Sequence, residues 1–121
     1  MKPFYHDSRY GITIYHGDCR DILPTLEAGS VDLVLTDPPY GIAYQHGVRK
    51  GGRVMGFDGA TIFGDDAPFD PRPLLRYPKV ILWGANHYAD NLPLSRGWLV
   101  WDKRCGIPSN DQSDCELAWT N

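Results

Sequence analysis

Cysteine is scarce in this 121-residue chain. Its three residues, Cys19, Cys105 and Cys115, are odd in number, widely spaced and form no C-x-x-C pair. A disulfide framework is not expected on that count, and the pattern gives no support to a zinc site. The four histidines, at positions 6, 16, 46 and 87, show no H-x-x-x-H spacing and read as ordinary polar side chains. An excess of positive charge is missing as well: 12 Lys and Arg stand against 15 Asp and Glu, for a net charge of −3. Overall charge therefore cannot hold the protein on nucleic acid, although a local basic patch can. Long apolar runs are absent too, Val80-Ile81-Leu82-Trp83 being typical of the longest. That is far short of a bilayer span, and no membrane association is expected. The opening MKPFYHDSRYG lacks the apolar centre of a secretory signal, so the expected compartment is the cytoplasm. There is no G-x-G triplet, no P-loop and no internal repeat.

What is present is globular in composition, with 42% apolar, 22% charged and 12% aromatic residues. The size fits one domain, and 13 Gly with 10 Pro argue against a simple helix bundle. Residues 11–16 read as a strand, broken by Gly17-Asp18. Asp18 can cap a helix over 19–28, in which Pro24 is a defect. Residues 31–36 read as a strand that runs straight into Asp37-Pro38-Pro39-Tyr40. A mobile loop is expected over 41–70: its first part carries Arg49, Lys50 and Arg53 with no acid, its second Asp58, Asp65, Asp66 and Asp70 with no base. Short helices are expected near 71–77, where Pro71 stands first, and near 87–92. Further strands are expected at 79–83, 97–102 and 115–120. This alternation predicts an α/β fold with a mostly parallel sheet and helices on its faces. No helix or cap follows the last strand-like segment, so the sheet reads as incomplete.

DPPY after an apolar strand is the sharpest signal in the chain. The bland reading is a rigid turn built from Asp and two prolines. The chemical reading starts from position: prolines cannot continue a ladder, so the motif ends a strand, and in open α/β sheets ligands bind at that edge. Asp37 is an acceptor at neutral pH, and a proline carbonyl can supply a second. Two acceptors converging on one point suit an –NH2 group, and Tyr40 offers a flat face for a planar ring. Together they describe an exocyclic amine on a heteroaromatic base. Drawing both N–H bonds toward acceptors favours a tetrahedral nitrogen, whose lone pair can attack an electrophilic methyl group without a covalent enzyme intermediate.

DPPYGI, the preceding HGDCRDILPTLEAGSVDLVLT, and the downstream KVILWGANHYADNLP, GWLVWDKR and DCELAWTN resemble the DNA amino-methyltransferases that act on adenine N6 or cytosine N4. The likeness covers most of the chain and is greatest to members in which the catalytic motif precedes the cofactor motif. It implies a Rossmann-like sheet, S-adenosylmethionine as cofactor and double-stranded DNA as partner, with the target base flipped out of the duplex. By this resemblance Asp37, Pro38, Pro39 and Tyr40 form the catalytic set, with Tyr40 stacked on the base. Asp18 and Asp37 would contact the cofactor, and Asp18 serves equally well as a helix cap. Adenine is favoured over cytosine, since cytosine members often carry Ser in place of the Asp. The F-x-G-x-G segment that cradles the methionine part of the cofactor in this family has no counterpart here. The chain therefore reads as the catalytic part of such an enzyme, completed by a missing C-terminal part or by a homodimer.

Arg49, Lys50 and Arg53 are either a solvated loop or an arm on DNA phosphates, and Lys103-Arg104 carry the same two readings. The tryptophans read mostly as core, and Asn86 as a candidate polar pocket group. Two further readings remain. The motif also suits methylation of RNA bases or protein glutamine amides, and the absent glycine segment suits an inactive nucleic-acid-binding remnant.

Overall fold

The computed structural model describes residues 1–27, 29–44, 62–106 and 113–121. They form two compact units, Met1–Asp32 and Leu33–Asn121.

In the first unit, β1 (Tyr5–Asp7) and β2 (Ile12–Ile14) pair antiparallel, with Tyr5 opposite Ile14. The strand expected over 11–16 is thus half of a hairpin. Asp7 builds its turn: Oδ1 accepts the backbone N–H of Arg9 at 2.9 Å and of Tyr10 at 3.3 Å. The helix expected over 19–28 is shorter. α1 spans Cys19–Ile22 and passes into a 3₁₀ turn over Leu23–Thr25. Pro24 has no N–H to continue the α-helical ladder, which explains the change.

The second unit is built on a four-stranded sheet: β3 (Val34–Thr36), β4 (Val80–Trp83), β5 (Gly97–Asp102) and β6 (Cys115–Thr120). Spatial order is β3-β4-β6-β5. β3 and β4 are parallel, with Thr36 opposite Leu82. β6 is antiparallel to both neighbours, β4 and β5. The fold is therefore α/β in a broad sense, mostly strands with few helices, and the sheet is mixed rather than mostly parallel. The reason is connectivity. β6 returns beside β5 after a short excursion, and a strand that returns this way runs antiparallel. It then slots between β5 and β4.

The expected flanking helices are reduced to turns. Residues 72–76 make single turns, with Leu74 N–H donating to Pro71 O at 2.9 Å, and 3₁₀ turns cover Ala85–His87 and Ala89–Asn91. The core lies around the two central strands: Val80 and Leu82 of β4, Ala118 and Trp119 of β6, with Leu74, Tyr77, Ala85 and Tyr88 from the connections. Trp119 donates its indole N–H to Pro93 O at 3.0 Å, so its one polar atom is satisfied. Of the other tryptophans, Trp83 is half-buried, while Trp98 and Trp101 on the edge strand β5 are exposed. Asn121 ties the start of β4: its Oδ1 accepts Val80 N–H at 2.8 Å, and its amide nitrogen donates to Tyr77 O and Pro78 O at 3.4 Å.

Leu82 has no exposed surface and Leu35 is 62% exposed. Leu82→Ala is expected to cost about 2–5 kcal/mol, and Leu35→Ala less than about 1 kcal/mol. Urea midpoints of the two variants measure the difference.

Candidate functional site

β3 ends at Thr36, so Asp37-Pro38-Pro39-Tyr40 follows at its carboxyl end. β4 is parallel to β3, so Gly84 and the Ala85–His87 turn leave the sheet at the same edge. β5 runs in that direction too, which brings Lys103 and Arg104 there. β6, reversed, begins at this edge with Cys115 and Glu116, opposite Asp102 and Trp101.

Asp37 is exposed, Pro38 buried, and Pro39 and Tyr40 half-buried. The Tyr40 hydroxyl donates to Oδ1 of Asp37 at 2.6 Å. The Tyr40 ring stacks on His87, with centroids 4.6 Å apart and planes 12° from parallel. It also lies against Gly84, where an added Cβ would come within 1.9 Å of the ring. Burial, then the hydrogen bond to Asp37 and its charge, push the Tyr40 phenol well above its ordinary value. It stays protonated at neutral pH and remains a donor. Tyr88, next to His87 in the chain, is buried, donates to Trp83 O at 2.5 Å, and meets Phe69 edge-on at 5.0 Å. Burial, and secondarily the Asp37 charge, push its phenol up as well.

The backbone after the motif is held by Asp65, a carboxylate only 3% exposed. Its Oδ1 accepts the N–H of Gly41 at 2.8 Å and of Ile42 at 3.3 Å, and its Oδ2 that of Tyr44 at 2.6 Å. Its carbonyl accepts Ala43 N–H at 2.7 Å. Hydrogen bonds from these backbone groups, Tyr44 first, hold its carboxyl below the usual 3.8 despite the opposing effect of burial. Gly41 is required here: its φ is +76°, and a Cβ would sit 2.5 Å from Ala67 O. The described ends of the expected 41–70 loop are thus tied to one another.

The remaining expected site residues are engaged as follows. Asp18 belongs to the first unit, where it caps α1 through Arg20 N–H at 2.8 Å and pairs with the Arg20 guanidinium at 2.5 Å. Those bonds draw its carboxyl down to about 2. Arg49, Lys50 and Arg53 lie outside the described residues. Lys103 bonds Glu116 at 3.0 Å and sits 5.5 Å from the Trp101 ring centroid; Arg104 bonds Asp114 at 2.8 Å. Asn86 is exposed at the sheet edge. Among the described residues, no group of three His, Cys, Asp or Glu side chains could hold a metal ion.

Sequence reasoning missed Asp65, His87 and Gly84. Asp65 was one of four acids in a stretch, with nothing to mark it for burial. His87 read as a polar histidine. Gly84 read as a turn, and its contact with Tyr40 depends on the pairing of β3 with β4.

Comparison of the chain with protein-family models, curated proteins and solved structures gives no match.

Two variants test the geometry. Asp65→Ala should deprive the N–H groups of Gly41, Ile42 and Tyr44 of the carboxylate, raising their amide exchange rates by about tenfold or more. Because the folded carboxyl lies below its ordinary value, the stability it lends is present above pH 3.8 and is lost as pH falls below it. The same amides in the unaltered protein should deprotect over that acidic range. Gly84→Ala should displace the Tyr40 ring at a cost of about 1–3 kcal/mol. The Tyr40 phenol, followed by ring-labelled NMR, should then titrate closer to its usual 10.

Proposed function

We propose that this edge binds the exocyclic amine of a DNA base, as the catalytic part of an S-adenosylmethionine-dependent amino-methyltransferase, with adenine N6 favoured over cytosine N4. The single observation that carries this reading is the Asp37–Tyr40 pair. An ionisable acceptor and an aromatic ring are held together at the carboxyl end of a strand, with the ring orientation fixed by a 2.6 Å hydrogen bond. A mere turn would need neither the ring contact with Gly84 nor the anchoring of the next four residues by Asp65. The finer fold reading, a Rossmann-like methyltransferase sheet, belongs to the same proposal and draws on β3, β4 and β5 running in one direction.

On this reading the base leaves the duplex and enters beside Tyr40. Asp37 accepts one amine N–H and the Pro38 carbonyl the other. Among the described residues, Oδ2 of Asp37 takes no hydrogen bond, which leaves it for the amine while Oδ1 holds the Tyr40 hydroxyl. Both acceptors favour the amine nitrogen as it becomes tetrahedral, and their effect grows toward the transition state.

The cofactor side fits poorly. S-adenosylmethionine would supply the methyl group, but these 121 residues hold no G-x-G segment, and the Asp18 carboxylate is already engaged by Arg20. Cofactor affinity of the chain alone is therefore expected to be weaker than micromolar by calorimetry. The same absence favours a second reading, a nucleic-acid-binding protein without catalysis.

Transfer of labelled methyl groups to DNA, with RNA and protein as competing acceptors and cofactor at millimolar concentration, separates the readings. Asp37→Ala should lower the single-turnover rate by about a hundred- to a thousandfold. DNA affinity should hardly change, since it rests on phosphate contacts to which an acid adds nothing. DNA binding with no transfer at any cofactor concentration would favour the non-catalytic reading. An Asp37→Ala rate equal to that of the unaltered protein would end the amine-acceptor role.

A further inference from the structure

The surface that the proposed function offers to a base is already covered from within the chain. The imidazole of His87 lies on the Tyr40 ring at a centroid separation of 4.6 Å and 12° from parallel. Stacked rings in contact stand about 4.5–7 Å apart, and 4.6 Å leaves no room for another ring between them. His87 closes the Ala85–His87 turn, and its N–H donates to Gly84 O at 2.9 Å. Ala85 and Tyr88 on either side are buried, whereas His87 itself is exposed. The backbone of the turn is thus anchored, while rotation of the His87 side chain disturbs nothing in the core.

Resting on the reading above, we propose that His87 is an internal place-holder for the flipped base. Its imidazole occupies the stacking face of Tyr40 and swings out when an amine-bearing base enters. Tyr40 remains bonded to Asp37 Oδ1 throughout, so the ring keeps its orientation while its partner is exchanged.

The consequence is quantitative. A ligand that binds only the uncovered form has an apparent affinity reduced by the fraction of uncovered molecules. The reduction is the same for every base, because it belongs to the protein. It can be overcome when the base is delivered from a bound strand at high effective concentration, and it disfavours free nucleosides. Removing His87 should therefore tighten all base binding by one factor. Loss of a residue that contacts the base should instead weaken binding.

The test is NMR of the chain with labelled histidine rings, titrated with adenosine and with inosine, which lacks the amine. In the free protein the His87 ring protons should be shifted upfield by the Tyr40 ring current, and the shift should vanish in Tyr40→Leu. Adenosine should move them downfield toward the position of an exposed histidine. His87→Ala should bind both nucleosides about three- to tenfold more tightly. His87→Phe, which restores a flat ring, should return affinity toward that of the unaltered protein. If adenosine binding depends on Tyr40 but leaves the His87 signals in place, or if His87→Ala binds no more tightly, the place-holder role is overturned and the proposed function stands. If adenosine binds none of these proteins, or binds Tyr40→Leu as well as the unaltered one, the proposed function is overturned and the place-holder role with it.

Discussion

The Asp65 carboxylate governs the geometry of this edge. The chain leaves the sheet through Pro38 and Pro39, which offer no N–H groups, and then presents a run of donors from Gly41 to Tyr44 around the buried Asp65. A carboxylate can be buried in its ionised form only where donors surround it. One side chain answers three of them, and its own carbonyl answers a fourth. Hydrogen bonds to an ionised acceptor are short and strong, so the backbone just after Tyr40 has little freedom. That constraint lets the Tyr40 ring reach back to Asp37 and across to Gly84 at the same time. Gly41 completes it, since its left-handed backbone and close approach to Ala67 admit no side chain.

Much of the fold was legible because strands carry their own pattern. Residues 97–102 and 115–120 coincide with β5 and β6, and 79–83 differs from β4 by one residue. The end of β3 at Thr36 could be read from two prolines that cannot donate to a ladder. Pairing was not legible in the same way. Nothing local in CELAWT shows that it will insert between GWLVWD and VILW with reversed direction, because that choice is made by contacts distant in sequence. The helical expectations were too generous for a related reason. The stretch after Asp18 has a proline where the ladder needs a donor, and the one after Pro71 has only a few residues before the next strand begins.

The candidate site divides along the same line. DPPY is a contiguous signal, and its place at a strand end follows from residues within a few positions. Asp65 lies 24 residues from Gly41, with which it bonds, and His87 lies on a different connection from the Tyr40 it stacks upon. Groups that meet only through sheet pairing leave no periodicity to read. The basic residues at the described part of the edge show a further limit. Lys103 and Arg104 read equally as surface charges or as phosphate contacts, and acids on the neighbouring strand and its approach, Glu116 and Asp114, engage them. Composition counts charges without showing which of them face each other.

The position of β6 bears on how the sheet comes together. It follows the other three strands of the sheet in sequence and lies between two of them. β4 has β3 on one side and must wait for β6 on the other, so the sheet cannot grow by adding strands in the order in which they are made. The β5–β6 hairpin is the local pairing, and its closure entropy is the smaller one. Joining Leu82 to Trp119 closes a much longer loop, and contacts of that kind slow folding. The favoured sequence is a hairpin that forms first and then docks as a unit, bringing Trp119 over the Leu82 side of the core in a single step. Until it docks, the inner edge of β4 is an unpaired apolar strand, the kind of surface on which one chain can capture another.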